Sequence, residues 1–247
     1  MSFSHPAISS LTLALPPARK VPGKQTSCLQ KSRENAVQRD ASHTDDLSET
    51  PQERFVLPVH GVADFLSMRG AKSTVLVLSP TGDDGSTASV MLARSMAELG
   101  RSVVLVDMTV SGCPTRLMAA EPDLPGMADL LFGETAFGET IHHDRLSNAH
   151  IVPQGLSPVL PSGKITERLM MIVGALSDTY DTVLLEFGSA DISGVLRLMK
   201  YVDAEIVLSL PVADDERADE ALLELATLGY NDIMTMSEQS SRERSAA

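Results

Sequence analysis

The chain has no tryptophan, few aromatic residues (4%), two cysteines and no long apolar run, and its 20 basic residues are outnumbered by 33 acidic ones. Cys28 and Cys113 form no CxxC pair and sit in no metal-ligand spacing, so a disulfide framework is excluded and a reducing compartment is expected. A formal charge of −13 over 247 residues argues against a surface made to coat DNA phosphates or an anionic membrane, and nucleic acid is not an expected partner. Nothing reaches the roughly 18 apolar residues that span a bilayer, and the short run Leu11 to Leu15 lacks the basic flank of a signal peptide. The expected location is the cytoplasm. What is present is a hydrophobic content of 43%, enough for one sizeable core.

Residues 1–52 mix Ser, Pro, Lys, Asp and Gln without helical or strand period and read as a disordered arm. A folded domain is expected over 53–236, followed by a disordered tail over 237–247. His60 to Arg69 reads as a short amphipathic helix with Gly70 as its stop. From Thr74, β-branched runs alternate with helical periods: strands at Thr74 to Ser79, Ser102 to Asp107, His150 to Pro153, Thr182 to Phe187 and Glu205 to Leu210. Helices are expected at Ala88 to Leu99, Ile165 to Ser177, Ile192 to Tyr201 and Asp215 to Leu228. The strands are near-continuous apolar runs such as Val103-Val104-Leu105-Val106. This predicts an α/β fold, a mainly parallel doubly wound sheet buried on both faces.

In such a sheet, ligands gather at the carboxyl ends of the strands. The first of these strands runs into Ser79-Pro80-Thr81-Gly82-Asp83-Asp84-Gly85-Ser86-Thr87 and then a helix, the outline of a phosphate-cradling loop. Gly82 and Gly85 allow backbone N–H groups to turn inward. The position before Thr87, where a lysine reaches the β- and γ-phosphates, is Ser86, and Asp83 and Asp84 add negative charge. The plain alternative is a strand-to-helix turn capped by Asp and Ser. Asp107 and Glu186 end two further strands, where acids hold Mg²⁺, orient a water or are merely solvated.

From about Val56 to Met236 the order of elements resembles the cytoplasmic tyrosine kinases of bacterial exopolysaccharide synthesis, the BY-kinases, which belong with the MinD and ParA type of P-loop ATPases. The matching stretches are Ser79 to Thr87, Leu105 to Ser111, Gly126-Met127-Ala128-Asp129-Leu130-Leu131-Phe132-Gly133, Ile151 to Gly155 and Leu184 to Gly188. Where that family has lysine, a second acid and an arginine, this chain has Ser86, Thr109 and Ser111; the third acid is Glu186. The tyrosine-rich tail is absent from Glu238 to Ala247. The resemblance implies an ATP and Mg²⁺ site at Gly82, Asp83, Asp84, Gly85, Ser86 and Thr87. It gives Thr87 and Asp107 as metal ligands, and Asp107 and Glu186 as the vestigial catalytic acids.

It also implies a kinase-like protein of exopolysaccharide or capsule synthesis and export, catalytically degenerate. Its expected partner is a membrane chain-length regulator, which would hold it at the inner face of the plasma membrane, or an active kinase relative; homo-oligomers are compatible. Two alternatives stay open: an active tyrosine kinase in which Arg116 or Lys164 replaces the lysine, and a ParA- or MinD-like positioning ATPase. Ser162-Gly163-Lys164 reads as a helix start, His142, His143 and His150 as solvated side chains, and Cys113 as a small buried residue. The acidic run Asp214 to Glu224 reads as a solvated face or a dock for a basic partner. Phe132 and Phe137 are assigned to the core or to another subunit.

Overall fold

The computed structural model of the chain describes residues 56–69, 73–121, 123–156, 163–211 and 216–237. The chain divides into two units, Met1–Ser48 and Glu49–Ala247, and every described residue belongs to the second. The N-terminal arm and nearly all of the tail fall outside the described residues, as do Gly70, Ser162, Asp214 and Asp215.

The elements are β1 (Val56–Pro58), α1 (Val59–Met68), β2 (Ser73–Leu78), α2 (Asp83–Glu98), β3 (Val103–Asp107), α3 (Cys113–Met118) and α4 (Met127–Phe132). A 3₁₀ turn, Phe137–Glu139, follows. Then come β4 (His142–His143), β5 (His150–Val152), α5 (Gly163–Thr179), β6 (Thr182–Glu186), α6 (Ile192–Leu198), β7 (Ala204–Leu210), α7 (Glu216–Thr227) and β8 (Met234–Ser237). They form one sheet in the order β1-β8-β7-β2-β6-β3-β5-β4. All pairings are parallel except that of β4 with β5.

The period-2 geometry of the strands divides their apolar residues between two cores. Leu76, Leu78, Val183 and Leu185 join Leu130, Leu169, Leu176 and Leu225 from α4, α5 and α7 on one face. Val75, Val77 and Leu184 join Leu66, Leu92 and Met96 from α1 and α2 on the other. The α/β doubly wound sheet expected from the sequence is therefore present.

The fold places β2 and β3 on either side of β6, with Val77 and Asp107 both in register with Glu186. The carboxyl ends of these three strands thus open on one edge, and α2 leaves β2 there. Between β3 and β6 on one side and the antiparallel edge on the other, the segments Gly126 to Gly133 and Pro153 to Gly155 act as one clamp. The N–H groups of Met127 and Ala128 donate to the carbonyls of Pro153 (2.8 Å) and Gln154 (2.9 Å). A Cβ on Gly126 would lie 2.1 Å from the Pro153 carbonyl oxygen, so only glycine fits. Asp129 Oδ2 accepts from the N–H of Gly126 at 2.8 Å and of Leu156 at 3.1 Å, joining both segments through one buried carboxylate.

Candidate functional site

The loop after β2 turns through Gly82, whose φ of +76° is in the left-handed region. Its N–H donates to the Ser79 carbonyl at 2.8 Å, and its carbonyl accepts from Ser86 N–H at 3.0 Å. Gly85 serves a different purpose from the one expected: it lies inside α2, and a Cβ there would sit 2.8 Å from Ser79 Cβ and 2.9 Å from the Ser209 carbonyl oxygen. It is glycine because the helix backbone packs at contact distance on Ser79, just past β2, and on Ser209 of β7. The helix starts at Asp83, five residues before the expected Ala88, and Asp83 and Asp84 occupy its first turn. Both are exposed, and both favour the positive end of the helix dipole where a phosphate would otherwise lie.

Ser86 faces away from that opening. It is 1% exposed and its hydroxyl donates to Glu186 Oε1 at 3.0 Å. Ser89, one turn further along α2, donates to Glu186 Oε2, and Gly188 N–H donates to Oε1 at 2.8 Å. Glu186 is fully buried. Burial pushes its carboxyl up from 4.5 to about 7, against the pull of hydrogen bonds from Ser89, Gly188 and Ser86.

Asp107 is also buried, and its two oxygens are occupied. Oδ1 accepts from Thr109 N–H (3.0 Å) and Thr109 Oγ1 (2.7 Å), while Oδ2 accepts from Thr115 N–H (2.9 Å) and Thr115 Oγ1 (2.6 Å). A carboxylate has about four acceptor positions, so this one is saturated by the protein. Thr109 also accepts from Gly112 N–H at 2.9 Å, and Ser111 Oγ accepts from Cys113 N–H at 3.3 Å. Of the hydroxyl residues at motif positions 86, 109 and 111, Ser86 and Thr109 are buried and bond to Glu186 and Asp107, while Ser111 is exposed and accepts from the Cys113 N–H.

The structure thus brings the predicted residues Gly82 to Thr87, Asp107 and Glu186 to one edge, where the side chains of Ser86, Thr87, Asp107 and Glu186 are hydrogen-bonded within the protein. Thr87 Oγ1 donates to the Asp83 carbonyl at 2.9 Å. Arg116 Nη2 pairs with Asp83 Oδ2 at 2.9 Å and Nη1 donates to the Ser111 carbonyl, which puts a guanidinium on the rim of the loop. The Lys164 side chain lies outside the described residues. Cys113 packs beneath the rim, 4.0 Å from Thr87 Oγ1; burial and the neighbouring Asp83 push its thiol up, so it is a poor nucleophile. Beside the loop, a cavity of about 290 Å³ is lined by Pro80, Asp191, Arg217, Glu220 and Glu224, among others, and is acidic in balance. Neither the saturated Asp107 nor the inward Ser86 fits a resident Mg²⁺-nucleotide.

Ser89, Thr115 and Gln154 belong to this network and were not singled out from sequence. Thr115 Oγ1 accepts from Gln154 N–H at 2.9 Å, linking Asp107 to the Pro153 to Gly155 turn. Ser89 was readable: it lies at i+3 from Ser86, on the same helix face. Of the two phenylalanines, Phe137 packs against the core while Phe132 remains 40% exposed. Gly163 opens α5, as the helix-start reading expects. No helix among the described residues is long and apolar enough to cross a membrane.

No family model matches the chain, and no curated protein matches it. Solved structures do. The kinase domain of the Escherichia coli tyrosine kinase ETK is 17% identical, with 72% of this chain and 73% of that one covered at a TM-score of 0.61. The VpsO kinase domain is 21% identical, with 71% and 88% covered and a TM-score of 0.55. A cobyrinic acid a,c-diamide synthase from Mycobacterium smegmatis, with bound ATP analog and magnesium, is 18% identical, with 67% and 70% covered and a TM-score of 0.50. At these identities the likeness is one of fold, and the chain has the P-loop fold of the BY-kinase domains.

Proposed function

We propose that this chain is a catalytically degenerate, kinase-like regulatory protein of bacterial exopolysaccharide or capsule synthesis and export. It acts by binding a membrane chain-length regulator or an active kinase relative, and is held through that partner at the inner face of the membrane. One observation carries the reading: the residue at the lysine position, Ser86, is buried and bonded to Glu186. Phosphoryl transfer depends on electrostatic stabilisation of the transferring group, and neither a cation at that position nor a free Asp107 oxygen is available to supply it.

The test is complementation. In a strain lacking the protein, Thr87→Ala removes the hydroxyl that a P-loop protein offers to Mg²⁺ while disturbing a single hydrogen bond to the Asp83 carbonyl. Polymer output should return to the wild-type level. Loss of output with a folded, wild-type-abundance variant would contradict the scaffold reading.

A second reading, an active kinase with a substitute cation, is favoured by the position of Arg116 on the loop rim. Under it, ATP and Mg²⁺ bind at residues 82 to 87 and Arg116→Ala abolishes phosphotyrosine formation. Under the first reading the purified wild-type chain forms no phosphotyrosine with Mg-ATP either.

A further inference from the structure

The histidines at the sheet edge carry chemistry that the phosphate loop does not use. β4 and β5 are antiparallel, and His143 lies directly opposite His150. Opposed residues on such a pair project to the same face with Cβ atoms roughly 5 Å apart, so two imidazoles there must meet. His150 Nε2 is 3.0 Å from His143 Nδ1, and the ring centroids are 4.4 Å apart with their planes at 65°. The other nitrogen of His150, Nδ1, is 2.7 Å from the Tyr180 hydroxyl. His143 is exposed, His150 half-buried and Tyr180 buried, so the three form a chain from solvent to core. The expectation that these histidines are merely solvated is corrected for His150.

The two facing nitrogens are at hydrogen-bond distance. A divalent cation that replaces this hydrogen bond parts the nitrogens by a few tenths of an ångström: two metal–nitrogen bonds of about 2.1 Å at the tetrahedral angle hold their donors about 3.4 Å apart. When the Tyr180 hydroxyl accepts from His150 Nδ1–H, across the 2.7 Å between them, Nε2 carries the lone pair that a metal needs. That is the outer partner metal-bound imidazoles usually have.

We infer that His143 and His150 form a two-imidazole site for a divalent first-row transition metal such as Zn²⁺, Ni²⁺ or Cu²⁺, with Tyr180 as a positioning residue and the remaining coordination positions open to water. Imidazole donors select these ions over Mg²⁺ and Ca²⁺. Among the described residues no group of three or more His, Cys, Asp or Glu side chains is arranged to hold a metal, so the site is open rather than a closed structural centre.

The test is calorimetric titration of Zn²⁺ into the full chain at neutral pH. One site is expected, with affinity lowered by at least about 10-fold in His143→Ala and in His150→Ala and by a few-fold in Tyr180→Phe. His60→Ala, which removes an exposed histidine on α1, should leave it unchanged. In the unaltered chain, Zn²⁺ should shift the imidazole NMR signals of His143 and His150 before those of His60, a readout independent of any variant's folding. No heat up to about 1 mM Zn²⁺ would overturn the assignment. So would binding that is undiminished when both His143 and His150 are replaced, the signature of an adventitious ion only.

Discussion

Ser86 donates its hydroxyl to Glu186 across 3.0 Å in the buried floor of the loop that follows β2. The two residues are 100 positions apart in sequence and are 1% and 0% exposed. A small hydroxyl stands where a P-loop enzyme extends a lysine toward phosphate, and the acid below it uses that hydroxyl, Ser89 and the Gly188 N–H to satisfy its own oxygens. The loop keeps the backbone form of a phosphate cradle while Ser86 faces the protein and the exposed Asp83 and Asp84 bring negative charge to its mouth.

Glu186 makes stability depend on pH. Burial raises its carboxyl from 4.5 to about 7 in the folded chain, so the native state holds its proton more tightly than the unfolded state does. Stability is then fully present below pH 4.5, declines as pH rises toward 7 and is flat above, a fall on the order of 3 kcal/mol for this group. Glu186→Gln keeps the shape and removes the titration. Urea unfolding of both proteins between pH 5 and pH 8, about the range over which this group titrates, should show a sloping wild-type stability and a variant with that component gone.

Gly126 should tolerate no side chain. The Pro153 carbonyl oxygen would be 2.1 Å from a Cβ at this position, and backbone cannot swing aside as a flexible side chain would. Gly126→Ala should cost about 3 kcal/mol or more, in the range of core overpacking and severe backbone substitutions. Chemical denaturation would register it as a lower midpoint. A variant as stable as the wild type would show that the clamp between the two segments is not needed.

Much of this scaffold was legible in the sequence, because buried parallel strands are continuous apolar runs: β2, β3, β6 and β7 fall within a residue or so of the expected bounds. β1, β4 and β8 were not, since segments of two to four residues have no period to read. Ser237, assigned to the tail from sequence, completes β8 through pairing with β7 and β1 that only the fold reveals. The loop itself was visible from its glycines and from the missing lysine. The inward turn of Ser86 and the saturation of Asp107 by Thr109 and Thr115 were not, because they depend on which side chains the fold brings beside each acid. The same holds for His143 and His150, whose contact follows from an antiparallel register.

Arg94 and Asp144 form a two-pronged ion pair outside the loop. Nε donates to Oδ2 and Nη2 to Oδ1, each at 2.9 Å, and the Asp144 side chain is wholly buried. Burial alone would raise this carboxyl, but Arg94 and Ser147 hold it below its ordinary value of 3.8. Its stabilisation is present above that value and is lost as pH falls through the lowered one. Arg94→Ala strands a buried carboxylate and should cost about 3 kcal/mol, read as a drop in melting temperature at pH 7. A negligible change would mean that Asp144 is solvated after all.

Calorimetric titration of the full chain with Mg-ATP, paired with thermal melting, tests most directly the proposal that this loop takes up no Mg-nucleotide. The account predicts no binding heat and no rise in melting temperature at about 1 mM nucleotide, because Ser86 and Asp107 are committed within the protein. Saturable binding in the micromolar range, abolished by Thr87→Ala, would contradict it.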